Sequence, residues 1–222
     1  MINRIMKRLQ RPERGWDPIP LHYARQYADR EYDRLDRQLV DEVEEWTGGI
    51  AGKRILDLGG GPGQYSIEMA RRGARVFWHD ISRNYLEIAR ARAALHNVQV
   101  EFSLDYMEDA AGEYDVVFNR VCWYYCINDA AFARKICALT RPGGAGYLIV
   151  NTERYLAGVW PQLPTWPRVK GKLLFFLNKK LSLKIGHIMP SHRKIERLFR
   201  VMRLRELEIG YREEMTLVRL RR

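Results

Sequence analysis

The sequence contains no run of 18 or more apolar residues, so no segment reads as a membrane-spanning helix, and its N-terminus lacks the continuous apolar stretch of a secretory signal. A cytoplasmic protein is the expectation. Cysteine is scarce: Cys122, Cys126 and Cys137 are odd in number and form no C-x-x-C pair, which argues against a disulfide framework and a zinc site. They read as reduced core residues, and no metal centre is expected.

Acidic charge is scarce only in part of the chain. Residues 155–222 hold 16 Lys and Arg against 5 Asp and Glu, whereas residues 1–154 are balanced at 22 of each. The whole net charge of +11 therefore lies in the last third, where it would concentrate anions such as phosphates, acidic head groups or nucleic acid. At 222 residues and 26.2 kDa the chain suits one well-buried domain.

The informative stretch is Arg54 to Asp80. The apolar run Ile55, Leu56, Leu58 predicts a buried strand, ended abruptly by glycines at 59, 60, 61 and 63. A helix near Gln64 to Arg72 follows, and a second strand, Ala74 to Trp78, delivers Asp80 to its carboxyl end. In open α/β sheets ligands bind beyond those ends, so the glycine turn and Asp80 should face one crevice. A dinucleotide fingerprint needs G-x-G-x-x-G, but Gln64 or Ser66 stands where its third glycine belongs. The segment instead reads Asp57-Leu58-Gly59-Gly60-Gly61-Pro62-Gly63, an acidic-x-G-x-G-x-G pattern.

With an acid after the second strand and an Arg141-Pro142-Gly143-Gly144 turn before a fifth, this resembles the class I S-adenosylmethionine (SAM) dependent methyltransferases, in register over roughly Ile50 to Thr152. The resemblance implies an α/β, three-layer Rossmann-like sandwich around a seven-stranded, mostly parallel sheet with a C-terminal antiparallel hairpin. It implies SAM as cofactor, held by Asp57, Gly59, Gly61 and Gly63, by Asp80 on the ribose hydroxyls and by Ile81 against adenine. Asp105 and Tyr106 end the third strand, where the family binds adenine, and Asn119 ends the fourth, beside the methionine moiety. There is no N-P-P-[YF] sequence and no Pro-Cys pair, which argues against two DNA-methylating chemistries.

Around that core, residues 1–49 read as a helical segment over the cofactor site. Its first 20 place Ile2, Ile5, Met6 and Leu9 on one helical face and basic residues on the other, a pattern that suits either an anionic membrane surface or packing on the protein. For Tyr27 and Tyr32 in the helix that follows, ordinary packing is the simpler reading than a lid over the cofactor. Residues 50–152 form the SAM-binding core. Residues 153–190, with two tryptophans, four prolines, Leu173 to Leu177 and many lysines, read as a variable basic and aromatic substrate-side insertion. Residues 191–222 supply a helix and a hairpin that complete the same domain.

Tyr124, in the aromatic cluster after the fourth strand, is a candidate for the acceptor pocket. His187 and His192 are the candidate general bases, needed only if the acceptor is a hydroxyl. The first functional reading is a methyltransferase acting on oxygen or nitrogen of a small-molecule or lipid- or sugar-linked acceptor, anionic or amphipathic, with peripheral contact to an anionic membrane. An RNA methyltransferase using the basic region is the second, weakened by the absence of a recognisable RNA-binding module, and a non-catalytic SAM-binding scaffold is the third.

Overall fold

The computed structural model describes residues 17–181, 184 and 187–222; the amphipathic pattern read in residues 1–16 lies outside them. Helices α1 (Leu21–Asp33) and α2 (Arg37–Thr47) precede a seven-stranded sheet. Its elements run β1 (Arg54–Leu58), α3 (Gln64–Arg71), β2 (Arg75–Asp80), α4 (Arg83–Leu95), β3 (Val100–Leu104), β4 (Tyr114–Arg120), α5 (Asp129–Leu139) and β5 (Thr140–Val150). Helices α6 (Glu153–Val159), α7 (Thr165–Leu181) and α8 (His192–Arg200) lead to the hairpin β6 (Glu206–Arg212) and β7 (Met215–Arg221).

The strand order is β3-β2-β1-β4-β5-β7-β6, parallel from β3 through β5 and antiparallel at β7 and β6. This is the expected Rossmann-like sandwich. Because helices cover both faces, alternate residues of a central strand are all buried rather than half exposed. In β5, Leu148 and Val150 join Phe132, Ile136 and Phe199 on one side, while Tyr147 and Ile149 join Val43, Tyr65 and Met69 on the other.

Four of the helices, α2, α4, α5 and α8, start where a short polar side chain accepts from a free amide, each such cap being worth about 1 kcal/mol. Asp36 accepts from Leu39 N at 3.1 Å, Ser82 from Tyr85 N at 3.2 Å, Asn128 from Ala131 N at 2.9 Å and Ser191 from Lys194 N at 3.2 Å. The stretch from Leu21 to Trp46, which reads as one helix in the sequence, is two, because Asp36 caps a new start after the break at Arg34. The insertion is also more regular than its prolines suggest. Pro167 falls in the first turn of α7, where a missing amide hydrogen costs nothing.

One buried charge cluster ties that insertion to the core. Asp129, at the start of α5, lies 2.9 Å from Lys184 Nζ and 2.8 Å from Lys194 Nζ and accepts from Trp123 Nε1 at 2.9 Å. Lys194 also donates to the side chain of Asn178, fully buried on α7. Against the penalty of burial, the two ammonium groups hold the Asp129 carboxyl down at about 2. Replacing Asp129 with Ala should cost about 3–5 kcal/mol in urea unfolding, because two ammonium groups stay buried without their counter-ion. Its folded-state pKa lies below the unfolded value, so the contribution is complete above about pH 4 and disappears as pH falls toward 2, which acid titration of the parent against Asp129→Ala would register.

Candidate active site

The strand order reverses at β1, and the carboxyl ends of β1, β2 and β4 meet at one edge. A cavity of about 630 Å³ opens there, with Gly59, Gly61, Asp80, Ile81, Tyr106 and Arg120 in its wall. It continues past Tyr23 and Tyr27 of α1 to Tyr124, Tyr125, Cys126 and His187.

The first wall is main chain. Gly59 has φ +80°, and a carbon added to it would fall 2.3 Å from Cys122 Sγ. Gly61, at φ +52°, has nothing within 4 Å of the place a β-carbon would take, so its backbone faces the cavity bare. Both positions require the left-handed conformation that a side chain disfavours. Gly63 opens α3 against Ala89 and is not part of the wall.

Asp80 is held by main chain: Oδ2 accepts from Gly61 N at 3.0 Å and Oδ1 from Ser82 N at 2.9 Å. Burial pushes its carboxyl up, and the amides of Ser82, Gly61 and Ile81 pull it back. A carboxylate accepts about four hydrogen bonds, so acceptor capacity remains for hydroxyls in the cavity.

Asp57 lies behind the turn, buried, accepting from Ser66 Oγ at 2.6 Å. Burial raises its pKa to about 7, opposed by the Ser66 hydrogen bond and reinforced by the Asp80 charge. Asn119 is fully buried behind β1, donating from Nδ2 to Leu58 O at 2.7 Å; its Oδ1 has no partner among the described residues. Asp105 lies with His79 and Asp109 around a separate space of about 220 Å³ and accepts from Tyr106 N at 2.7 Å, so of that pair Tyr106 alone lines the main cavity. His79 is turned away, fixed on Tyr106 O at 2.9 Å.

The far wall is aromatic. Tyr124 and Tyr125 have ring centroids 4.2 Å apart, and Tyr125 meets the His187 ring edge-on at 4.6 Å. Desolvation against this wall, with the Lys184 ammonium nearby, holds the His187 imidazole below its ordinary value. That shift favours the neutral ring, the form that can accept a proton. His192 stands elsewhere: Nδ1 is 2.9 Å from Thr216 Oγ1 and the ring stacks on Tyr211 at 4.3 Å, outside the cavity wall.

Several lining residues gave no usable signal in the sequence. Arg120 pairs with Glu31 at 3.1 Å and lies 5.0 Å from the Tyr65 ring centroid, with its Nε buried and without a partner among the described residues. Val121 adopts φ +60°, a strained conformation for a β-branched residue, and such strain concentrates at ligand sites. Cys122 also faces the cavity, but burial and the Asp80 charge push its thiol well up, so it stays protonated and is no nucleophile. Tyr27 lines the cavity, and Tyr32 donates to Pro62 O at 2.9 Å, so α1 is fastened to the glycine turn. Arg120 carried no pattern in the sequence, and for Tyr27 and Tyr32 a place over the cofactor was only the alternative to ordinary packing.

Residues 55–144 match the family described as methyltransferase domain. Among curated proteins, ubiquinone biosynthesis O-methyltransferases are similar: that of Aeromonas salmonicida is 35% identical over 53% of this chain and 52% of its own length, and that of Bordetella pertussis 35% identical over 59% and 53%. The chain spans about half the length of the curated relatives it matches. Among solved structures, a putative SAM-dependent methyltransferase from Methanococcus maripaludis superposes with TM-score 0.65 at 17% identity, covering 91% of this chain and 93% of that one. Magnesium protoporphyrin IX methyltransferase from Synechocystis PCC 6803, solved with bound S-adenosylhomocysteine, gives 0.60 at 18% identity over 83% of each chain. These structural likenesses carry the fold alone. Residues 55–144 are thus similar to a methyltransferase domain, set on the fold that these SAM-dependent methyltransferases share.

Proposed function

We propose that the chain is a SAM-dependent O-methyltransferase acting on a small acceptor with an apolar or aromatic portion. One observation carries this reading: a single cavity joins bare main chain and a fixed carboxylate at one end to an aromatic wall with a histidine at the other. The oxygen acceptor follows the activity named for the relatives.

The residues present fit the cofactor. Gly59 and Gly61 leave room for close approach, Asp80 has free acceptor capacity for ribose hydroxyls, and Ile81 and Tyr106 offer surface for adenine. Arg120 supplies a positive charge for a carboxylate, while Asp57 and Asn119 brace the turn from behind. Asp105 acts through Tyr106, whose amide it holds. When bound, SAM supplies a methyl group already activated on a sulfonium.

What is left to the chain is alignment and one proton. Holding a nucleophile in line can supply about 7–11 kcal/mol of a barrier. Tyr124 and Tyr125 would position a planar acceptor, His187 would take the hydroxyl proton on an imidazole nitrogen, and residues 153–190, which carry His187, would select the acceptor. Lipid- or sugar-linked acceptors suit this wall, and with them peripheral contact to an anionic membrane.

Two measurements test the cofactor end. Asp80→Ala should weaken SAM binding about 100-fold, or about 2.7 kcal/mol, in calorimetry while secondary structure is kept; affinity equal to the parent's would defeat the assignment. Free Asp57 titrates at about 7, and a bound cation favours its ionised form, so affinity should rise with pH through 7 and level off above it. Asp57→Asn should flatten that rise, and an unchanged profile would show that Asp57 does not sense the ligand.

A further inference from the structure

Helix α7 carries two opposite faces. Phe175 and Asn178 turn inward, the first against Trp160 at 5.7 Å and the second onto Lys194. On the other side Trp166, Val169, Leu173 and Phe176 are 75, 51, 57 and 54% exposed. Their spacing of three, four and three residues puts them in one stripe along the helix. Among the described residues, nothing buries these four large apolar side chains.

The charges around the stripe say what covers it. Helix α7 has five cations, Arg168, Lys170, Lys172, Lys179 and Lys180, and no acidic residue. At 100° per residue, Lys170 falls along one edge of the stripe, Lys172 and Lys179 along the other, and Lys180 continues it. Pairing this face with a second copy would bring lysines against lysines. Four side chains also fall well short of the roughly 20–30 residues a side, about 800 Å² per partner, of a stable protein interface. An apolar stripe edged with lysines and carrying a tryptophan matches the boundary between anionic head groups and acyl chains.

We infer that α7 lies on the surface of an anionic phospholipid bilayer, inserting Trp166, Val169, Leu173 and Phe176. This deepens the proposed contact with an amphipathic acceptor, and rests on that reading for its purpose but not for its geometry. Asn178 is bound by Lys194, and the chain leaving α7 is anchored at Lys184, 2.9 Å from Asp129, before it reaches His187 in the cavity wall. The docking face is thus linked to the acceptor end of the cavity through a buried ion cluster, so an acceptor with a long apolar portion would reach His187 from the layer in which α7 rests.

The test is flotation of the purified protein with vesicles of phosphatidylcholine alone and of phosphatidylcholine with about one third phosphatidylglycerol. The expected result is binding to the anionic vesicles, weakened by salt, and at least tenfold weaker for the triple variant Val169→Ser, Leu173→Ser, Phe176→Ser. Those positions are exposed, so the variant should keep the parent's melting temperature and SAM affinity, which separates failure of the docking surface from failure of the cofactor reading. No binding to anionic vesicles, or equal binding by parent and variant, would overturn the inference. So would a parent dimer that the same substitutions dissociate, which would make the stripe a protein interface.

Discussion

The hydrogen bond from the Gly61 amide to Asp80 joins the end of β1 to the end of β2, and the cavity depends on it. It fixes a turn that no side chain fills. It also sets the carboxylate at the mouth of the crevice, already oriented by a second amide, that of Ser82. Orientation by main chain costs little entropy when a ligand arrives, since the groups that would receive it are in place beforehand. Asp57 and Trp78 hold the same turn from behind, Asp57 through Ser66 and Trp78 by donating from Nε1 to Gly61 O at 2.9 Å.

Much of this was legible in the sequence because it rests on local rules. The apolar residues Ile55, Leu56 and Leu58 marked β1, the glycines marked the turn, and the stretch from Ala74 to Trp78 marked β2 with Asp80 at its end. Placement that depends on long-range contact was not legible. Spacing alone could not show that Asp105 would serve a separate space, that His192 would stack on Tyr211, or that Arg120 and Tyr27 would share a wall. The run Leu173 to Leu177 is apolar throughout, yet Phe175 is buried while Leu173 and Phe176 are exposed, a division set by what α7 packs against. Val121, at φ +60°, also has its amide paired with Ile149 O at 2.8 Å, a long-range contact that its own sequence neighbourhood does not announce.

The cluster around Asp129 shows how an added segment becomes part of a domain. Asp129 of α5 lies 55 residues before Lys184, in the chain following α7, and still further from Lys194 of α8. Each ammonium would be costly to bury alone, and together they tolerate burial only in one arrangement, so the cluster favours a single seating of the insertion over the alternatives that an apolar contact would permit. Cys126 lies within it, 3.0 Å from Lys184 Nζ, and also lines the cavity, so the seating of the insertion and the shape of the acceptor end are set by the same atoms.

The two outer strands of the sheet bear on a different matter. In β6, Glu206 and Glu208 face Arg221 and Arg219 of β7, the first pair at 2.9 Å, and the opposite border at β3 exposes Glu101. A foreign strand seeking to extend the sheet at either border would have to lay its backbone beside charged side chains, ion pairs at β6 and Glu101 at β3. The molecule therefore carries its own deterrent to fibril-like stacking, and crowding of many copies on one surface need not make them coalesce.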